Sequence, residues 1–444
     1  MTQTGRTLSV AGSVIRRPIV VWVAFVLVHL WLGLVNLYGP GLPLGDVSIV
    51  YRFWVDQAIG ANFWVGIDSV WVYPVLALVP MLAAAAFGPE QYASTWLSMV
   101  MLLNAVAFGF VTGWGLARER IGVAWWWVGF LALLGPIALG RIDSITVPLA
   151  LIAVSIIASR PRAAAVVLAI ATWIKVWPAA IIVAALIAVR ERGRILLAGV
   201  IVSVVIIVVA LTLGSGSNVL SFITQQTGRG LQIESPVAAI WLWQAAAGVP
   251  ETFVYYDRAI LTYQVQGNGV ETASALMTPL LALAVAVIVL LGIRAVRSGV
   301  SAGDLLPPLA LALVTTLIVM NKVGSPQFIS WLAVPIVLGI ITSATGYGRS
   351  FRTPSILVLV IAALTQVVYP YLYFALLSVD PLMLGVLTAR NLLLFVLLGW
   401  AVVALVRAAP APDNTDPNHP WQSSVWPLGS GRGIVQDVPE PVKE

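Results

Sequence analysis

Long stretches of this chain are apolar on every side, and short polar breaks, often carrying arginine, separate them. The apolar runs lie near 18–38, 70–88, 92–116, 122–139, 144–159, 163–189, 195–213, 272–293, 303–320, 328–345, 354–376 and 383–406. They lack the one-sided stripe of a helix on the surface of a water-soluble protein. Most reach the roughly 20 residues that a membrane crossing requires. The pattern predicts an all-α, polytopic transmembrane helical bundle of about twelve membrane helices.

Three stretches are too polar to span. Residues 39–69 form a first external loop, and 214–271 form a longer second one with an apolar piece at 236–249. The third is a tail from about 408, "APAPDNTDPNHPWQSSVWPLGSGRG", whose Pro-rich composition predicts a disordered cytoplasmic segment. The division is therefore 1–17 as a cytoplasmic N-terminus, 18–407 as a transmembrane domain and 408–444 as a tail.

The 18–38 run is longer than the apolar part of a cleaved signal, and no A-x-A-like site follows it, which predicts a signal anchor. Basic residues cluster at Arg16-Arg17, Arg118-Glu119-Arg120, Arg160-Pro161-Arg162, Arg190 to Arg194, Arg294 with Arg297, and Arg349 with Arg352. Such clusters mark cytoplasmic loops. Beyond residue 195, simple alternation agrees with that rule. Upstream it would put Arg118, Arg120, Arg160 and Arg162 outside. The conflict disappears if 163–189 is a hairpin of two short helices with Lys175 at its outer apex. One more segment must then fail to cross, and 70–88, with Pro74 and Pro80, is the candidate.

Composition agrees with the membrane class. The chain is 9% charged with mean hydropathy +0.98, against about 25% charged in soluble proteins. A net charge of +6 would suggest nucleic acid as a partner in a soluble protein, but here the excess sits in interspan clusters, so membrane lipids are the partner and nucleic acid is not. The absence of cysteine excludes disulfides, zinc–thiolate sites and thiol nucleophiles. With only His29 in the first span and His419 in the tail, a His-based metal site or Ser-His-Asp triad is not expected. Most of the eighteen Trp, for instance Trp125–Trp127, are expected in interfacial belts.

Few acids occur near the spans, which draws notice to Asp46 in "YGPGLPLGDVSIVYRFW". After it, Val47, Val50, Tyr51, Trp54 and Ala58 share one helical face while Arg52 and Asp56 point elsewhere, as in a helix lying at the membrane interface. Asp46 stands where a carboxylate caps a helix N-terminus. It also stands where a general base would meet a substrate at the membrane border. The residues alone support both roles.

"GDVSIVYRFW" is followed in order by "VWVYPVLALVP" (70–80), "GRIDSITVPLALI" (140–152), "ATWIKVWPAAII" (171–182), "RGLQIESPVAAIWLW" (229–243) and "NKVGSPQFISWL" (321–332). In this order and spacing, from about 15 to 407, the chain resembles glycosyltransferase family 87. That family comprises actinobacterial polyprenyl-phosphate-mannose-dependent enzymes of the GT-C superfamily. The resemblance implies a GT-C-type bundle in the cell membrane that uses a polyprenyl-phosphate sugar donor. The acceptor would be a glycolipid or polysaccharide of the cell envelope, met at the extracytoplasmic face. It also implies that an acid in the first external loop, here Asp46, activates the acceptor hydroxyl. Some relatives use a histidine in a later external region, and this chain has none there.

Such chemistry needs fixed positive charge where the phosphate departs. Lys175, within hydrocarbon in "TWIKVWP", suits a wet intramembrane cavity better than snorkelling. Lys322 in "NKVGSP" reads as either a phosphate ligand or an interfacial lysine. Arg229, between Gly228 and Gly230, reads as either a ligand with room for close backbone approach or a solvated loop residue. Arg390, beside Asn391, is the fourth candidate. For sugar or acceptor the candidates are Arg141, Asp143, Glu234, Tyr73 and Trp331, although Arg141 and Asp143 could pair with each other and the aromatics could serve the membrane belt. Asp46 has no D-x-D partner, so neither an obligatory metal nor a cofactor is expected. The competing reading is a transporter or flippase of a lipid-linked amphiphile, against which stand the lack of an internal repeat and the gathering of polarity in the external loops.

Overall fold

The computed structural model describes residues 17–225, 228–258, 260–410 and 421. The expectations for 1–16, for His419 and for most of the tail lie outside these residues. Nine helices among the described residues are long and apolar enough to cross a membrane: Pro18–Tyr38, Pro89–Gly115, Ile121–Ala138, Arg192–Thr212, Val270–Arg297, Ala302–Val319, Pro326–Ala344, Arg352–Tyr371 and Pro381–Val406. Four shorter apolar helices, Val75–Ala84, Asp143–Ile156, Pro161–Ile174 and Ala179–Ala188, join them. The chain is a multi-pass helical membrane protein.

The centre is built from Asp143–Ile156, Ala302–Val319 and Pro326–Ala344, whose side chains are buried almost throughout. The 302–319 helix packs against 179–188, 270–297, 326–344 and 381–406, which explains why no face of it is polar. By contrast, 192–212 and 270–297 expose leucine and valine along most of their length, as lipid-facing helices do.

The 163–189 run is two helices that meet at Lys175. Pro178 stops the first from continuing, because it has no N–H for the Ile174 carbonyl four residues back and its ring would strike that carbonyl. Lys175, the residue after the helix, is extended, with φ −151° and ψ 133°. The helix that starts at Asp143 runs away from Lys175 toward Arg160, and the 161–174 helix returns. Asp143 and Lys175 thus share one end of the bundle, 3.6 Å apart, while Arg160–Arg162 and Arg190–Arg194 lie at the other. That other end is consistent across the chain: Gly115 lies against Pro18, the Gly303 N–H donates to the Trp421 carbonyl, and Gly299 lies against Pro410. Val75–Ala84, ten residues long, rises only about 15 Å, half the ~30 Å of a hydrocarbon core.

One expectation needs correction, and one element was not anticipated. Within 214–271, β1 (Phe253–Asp257) pairs antiparallel with β2 (Thr262–Gln266). Their alternating aromatic and β-branched residues explain the hairpin. Trp127 and Trp96 are not belt residues but lie in the core, and Trp96 Nε1 donates to the Leu139 carbonyl.

Candidate active site

A cavity of about 710 Å³ opens at the end of the bundle that holds Asp143 and Lys175. Asp46, Tyr73, Lys175, Arg229, Lys322 and Trp331 all line it, although they come from five separate stretches of sequence. The rest of its wall is largely apolar: Phe222, Ile223 and Leu261 from the second loop, Met277 and Leu281 from the 270–297 helix, and Leu317 and Met320 from the 302–319 helix.

Asp46 opens a short π-helical turn, 46–51, that runs directly into the helix Arg52–Ala61. Gly45, not Asp46, takes the capping position, and no side chain caps the turn. The carboxylate instead turns to Arg141, with Oδ2 3.0 Å from Nε. Its side chain remains 40% exposed, and Oδ1 receives no hydrogen bond from the described residues. Val47, Tyr51, Val55 and Ala58 face inward, while Arg52 and Asp56 form an exposed pair at 3.7 Å. Val50 and Trp54 border the cavity.

Arg141 is buried and does not line the cavity. Its Nη1 donates to the carbonyls of Pro43 and Gly140, both at 2.7 Å, and its Nη2 to the Tyr369 hydroxyl at 2.8 Å. A guanidinium so bound holds the direction of Asp46 and has no fork left for a sugar. Tyr369 and Tyr51, whose hydroxyl accepts from the Ile142 N–H, were not among the sequence candidates. Only the tertiary fold brings these distant tyrosines to the loop.

Asp143 does not pair with Arg141. Its Oδ1 accepts the Trp331 indole N–H at 2.6 Å, and its Oδ2 faces Lys175. Trp331 in turn stacks between Trp177 and Phe328, with centroids 5.5 and 4.3 Å away. The Lys175 ammonium lies 4.8 Å from the Tyr73 ring centroid and 5.7 Å from that of Phe328. Aromatic faces and one carboxylate thus hold a cation at the cavity floor.

Arg229 reaches the cavity from the second loop with no acidic partner among the described residues, and burial lowers its affinity for protons. Lys322 is also lowered by burial. Gly228 has open space around its α-carbon, whereas Gly230 approaches the Gln264 side chain rather than a ligand. The loop that carries Lys322 is clasped to the one that carries Glu234: the Gln232 N–H donates to the Lys322 carbonyl, and a Cβ on Gly324 would strike the backbone of Ser235. Gly324→Ala is therefore expected to destabilise the fold by about 1–3 kcal/mol, measured as a lowered unfolding midpoint in detergent.

Glu234 and Arg390 lie outside the cavity lining, paired with each other. Glu234 Oε2 is 3.0 Å from Arg390 Nη1, and Nη2 donates to the Glu234 carbonyl at 2.9 Å. Burial raises the Glu234 carboxyl above its ordinary value, and Arg390 opposes that. Asn391 Oδ1 accepts from both Nε and Nη2 of Arg390. Each charge is already occupied by the other. The pair staples the second loop to the last helix and does not line this cavity.

Among the described residues, no three or more of His, Asp and Glu converge as they would around a metal ion. The chain matches no protein-family model, and no curated protein matches it significantly in sequence.

Proposed function

We propose that this protein is an integral-membrane glycosyltransferase of the GT-C type. In this reading it moves a sugar, mannose by its resemblance, from a polyprenyl-phosphate donor to a cell-envelope glycolipid or polysaccharide. The observation that supports this best is the cavity itself. One unpaired carboxylate oxygen and three cations, drawn from distant stretches, meet in a space whose remaining wall is largely apolar, with amide and hydroxyl side chains such as Gln232 and Thr278 among it. A lipid tethered to a sugar phosphate has the same three parts.

The topology that fits is twelve passes, made of the nine long helices and the three short ones at 143–156, 161–174 and 179–188, with both termini in the cytoplasm. Helices of 14 residues rise about 21 Å, so their shared apex at Lys175 would sit roughly 10 Å below the outer edge of the hydrocarbon. A lipid-linked donor would then reach the floor sideways while the acceptor arrives from water.

The chemistry is a single displacement with inversion. The acceptor oxygen attacks the anomeric carbon, the bond from that carbon to the phosphate oxygen breaks, and Asp46 Oδ1 takes the acceptor proton. The phosphate leaves with the bonding electrons, passing from one negative charge as a diester toward two as a monoester. Lys175, Arg229 and Lys322 therefore hold the leaving group more tightly than the donor, which is what lowers a barrier. Arg141 holds Asp46 in place.

Lys175→Met is expected to lower kcat/KM for the donor roughly 10- to 100-fold, the value of a hydrogen bond to a charged group, with part of the loss in kcat and the acceptor KM little changed. The substitution leaves Asp143 unpaired, so the same assay is run on Lys175→Met with Asp143→Asn. A change in the acceptor KM alone would remove Lys175 from the phosphate site.

A further inference from the structure

Asp46 stands between two different surfaces. On one side lies the cavity with its cations. On the other lies a run of tyrosines, none of which lines that cavity. Tyr256 on β1 meets Tyr263 on β2 with centroids 4.9 Å apart, and Tyr263 meets Tyr373 at 6.1 Å. Tyr373 meets Tyr369 edge-on at 5.2 Å, and the Tyr369 hydroxyl holds Arg141, which holds Asp46. Tyr256, at the outer end, is 45% exposed. Tyr263 and Tyr373 are half-buried and Tyr369 is buried, so the series runs from open surface inward to the Arg141–Asp46 pair.

We propose that this tyrosine ledge is an acceptor site and that it binds a neutral carbohydrate chain. The inference rests on the transferase reading, in which something must bring a hydroxyl to Asp46 from the side opposite the donor. Sugar rings present C–H faces that lie on the negative faces of aromatic rings, and their hydroxyls meet phenols. A lipid tail would gain nothing from phenol groups, and an anionic ligand would find Arg141, the cation behind Tyr369, already paired with Asp46. The hairpin is what makes the ledge: cross-strand pairing of Tyr256 with Tyr263 places both rings on one face. The tip of the same hairpin, Ile260 to Thr262, borders the donor cavity, so one element touches both substrates.

The test is binding of a neutral hexasaccharide to the full-length protein in nanodiscs, followed by saturation-transfer NMR. Native protein is expected to bind it. Tyr256→Ala should weaken binding about tenfold, and Tyr256→Phe, which keeps the ring, should restore most of it. In transfer assays the same loss should appear in the acceptor KM, with the donor KM unchanged. No binding by native protein, or equal binding by Tyr256→Ala, would overturn the ledge even if Asp46-dependent transfer occurs. If no polyprenyl-phosphate sugar is ever transferred but Tyr256→Ala still loses the hexasaccharide, the transferase reading falls and the ledge stands as a glycan site.

Discussion

Asp46→Asn is expected to lower kcat for sugar transfer at least about 100-fold, within the 10²–10⁴ range of a general base. Asparagine has the size of aspartate, and its carbonyl oxygen can still accept from Arg141 Nε, where Oδ2 now sits at 3.0 Å. Arg141 keeps its bonds to Pro43, Gly140 and Tyr369. The loop should therefore fold as before, and donor binding, which depends on the cations, should persist. What the amide cannot do is take a proton from an attacking hydroxyl. The measurement is steady-state transfer with purified protein, polyprenyl-phosphate mannose and a panel of envelope acceptors. Near-native turnover by a well-folded Asn variant would reject the role.

Arg390→Met is expected to destabilise the protein by about 3–5 kcal/mol, because it leaves the Glu234 charge buried without its partner. Both side chains are almost fully enclosed, at 3% and 2% exposure. Asn391 and the Glu234 carbonyl also lose donors. Replacing both charges, as in Glu234→Gln with Arg390→Met, should recover much of the loss, since removing a buried pair costs far less than breaking one. Equilibrium unfolding in detergent, arranged as a double-mutant cycle, reads the coupling. Unchanged stability in Arg390→Met, together with a raised donor KM, would return Arg390 to the phosphate site.

The sequence carried the membrane architecture plainly, since apolar length and arginine placement are local signals. It also pointed to the break at Lys175, because unbroken alternation would have put Arg118, Arg120, Arg160 and Arg162 on the wrong side. Pairing was another matter. Arg141 and Asp143 are two residues apart and invite one ion pair, yet each turns to a distant partner, Asp46 and Lys175. Residues so spaced at a helix start project in different directions, and which neighbours they meet depends on packing among helices far apart in sequence. The same holds for Glu234 and Arg390, separated by 156 positions. The hairpin at 253–266 did leave a trace: "FVYYD" and "TYQVQ" are runs rich in aromatic and β-branched residues, four residues apart. It was obscured because the connection between the two runs, Arg258 to Leu261, carries none of the Gly, Asn or Pro that mark a tight hairpin.

The central claim is that a covalent bond to sugar breaks in this cavity. The most direct measurement follows a polyprenyl-phosphate sugar labelled in both halves, mixed with purified protein in nanodiscs and an envelope acceptor. The account predicts one polyprenyl phosphate released for each sugar transferred, with the anomeric configuration inverted and both products missing with Asp46→Asn. Donor that reaches the opposite leaflet with its two labels still joined would contradict it.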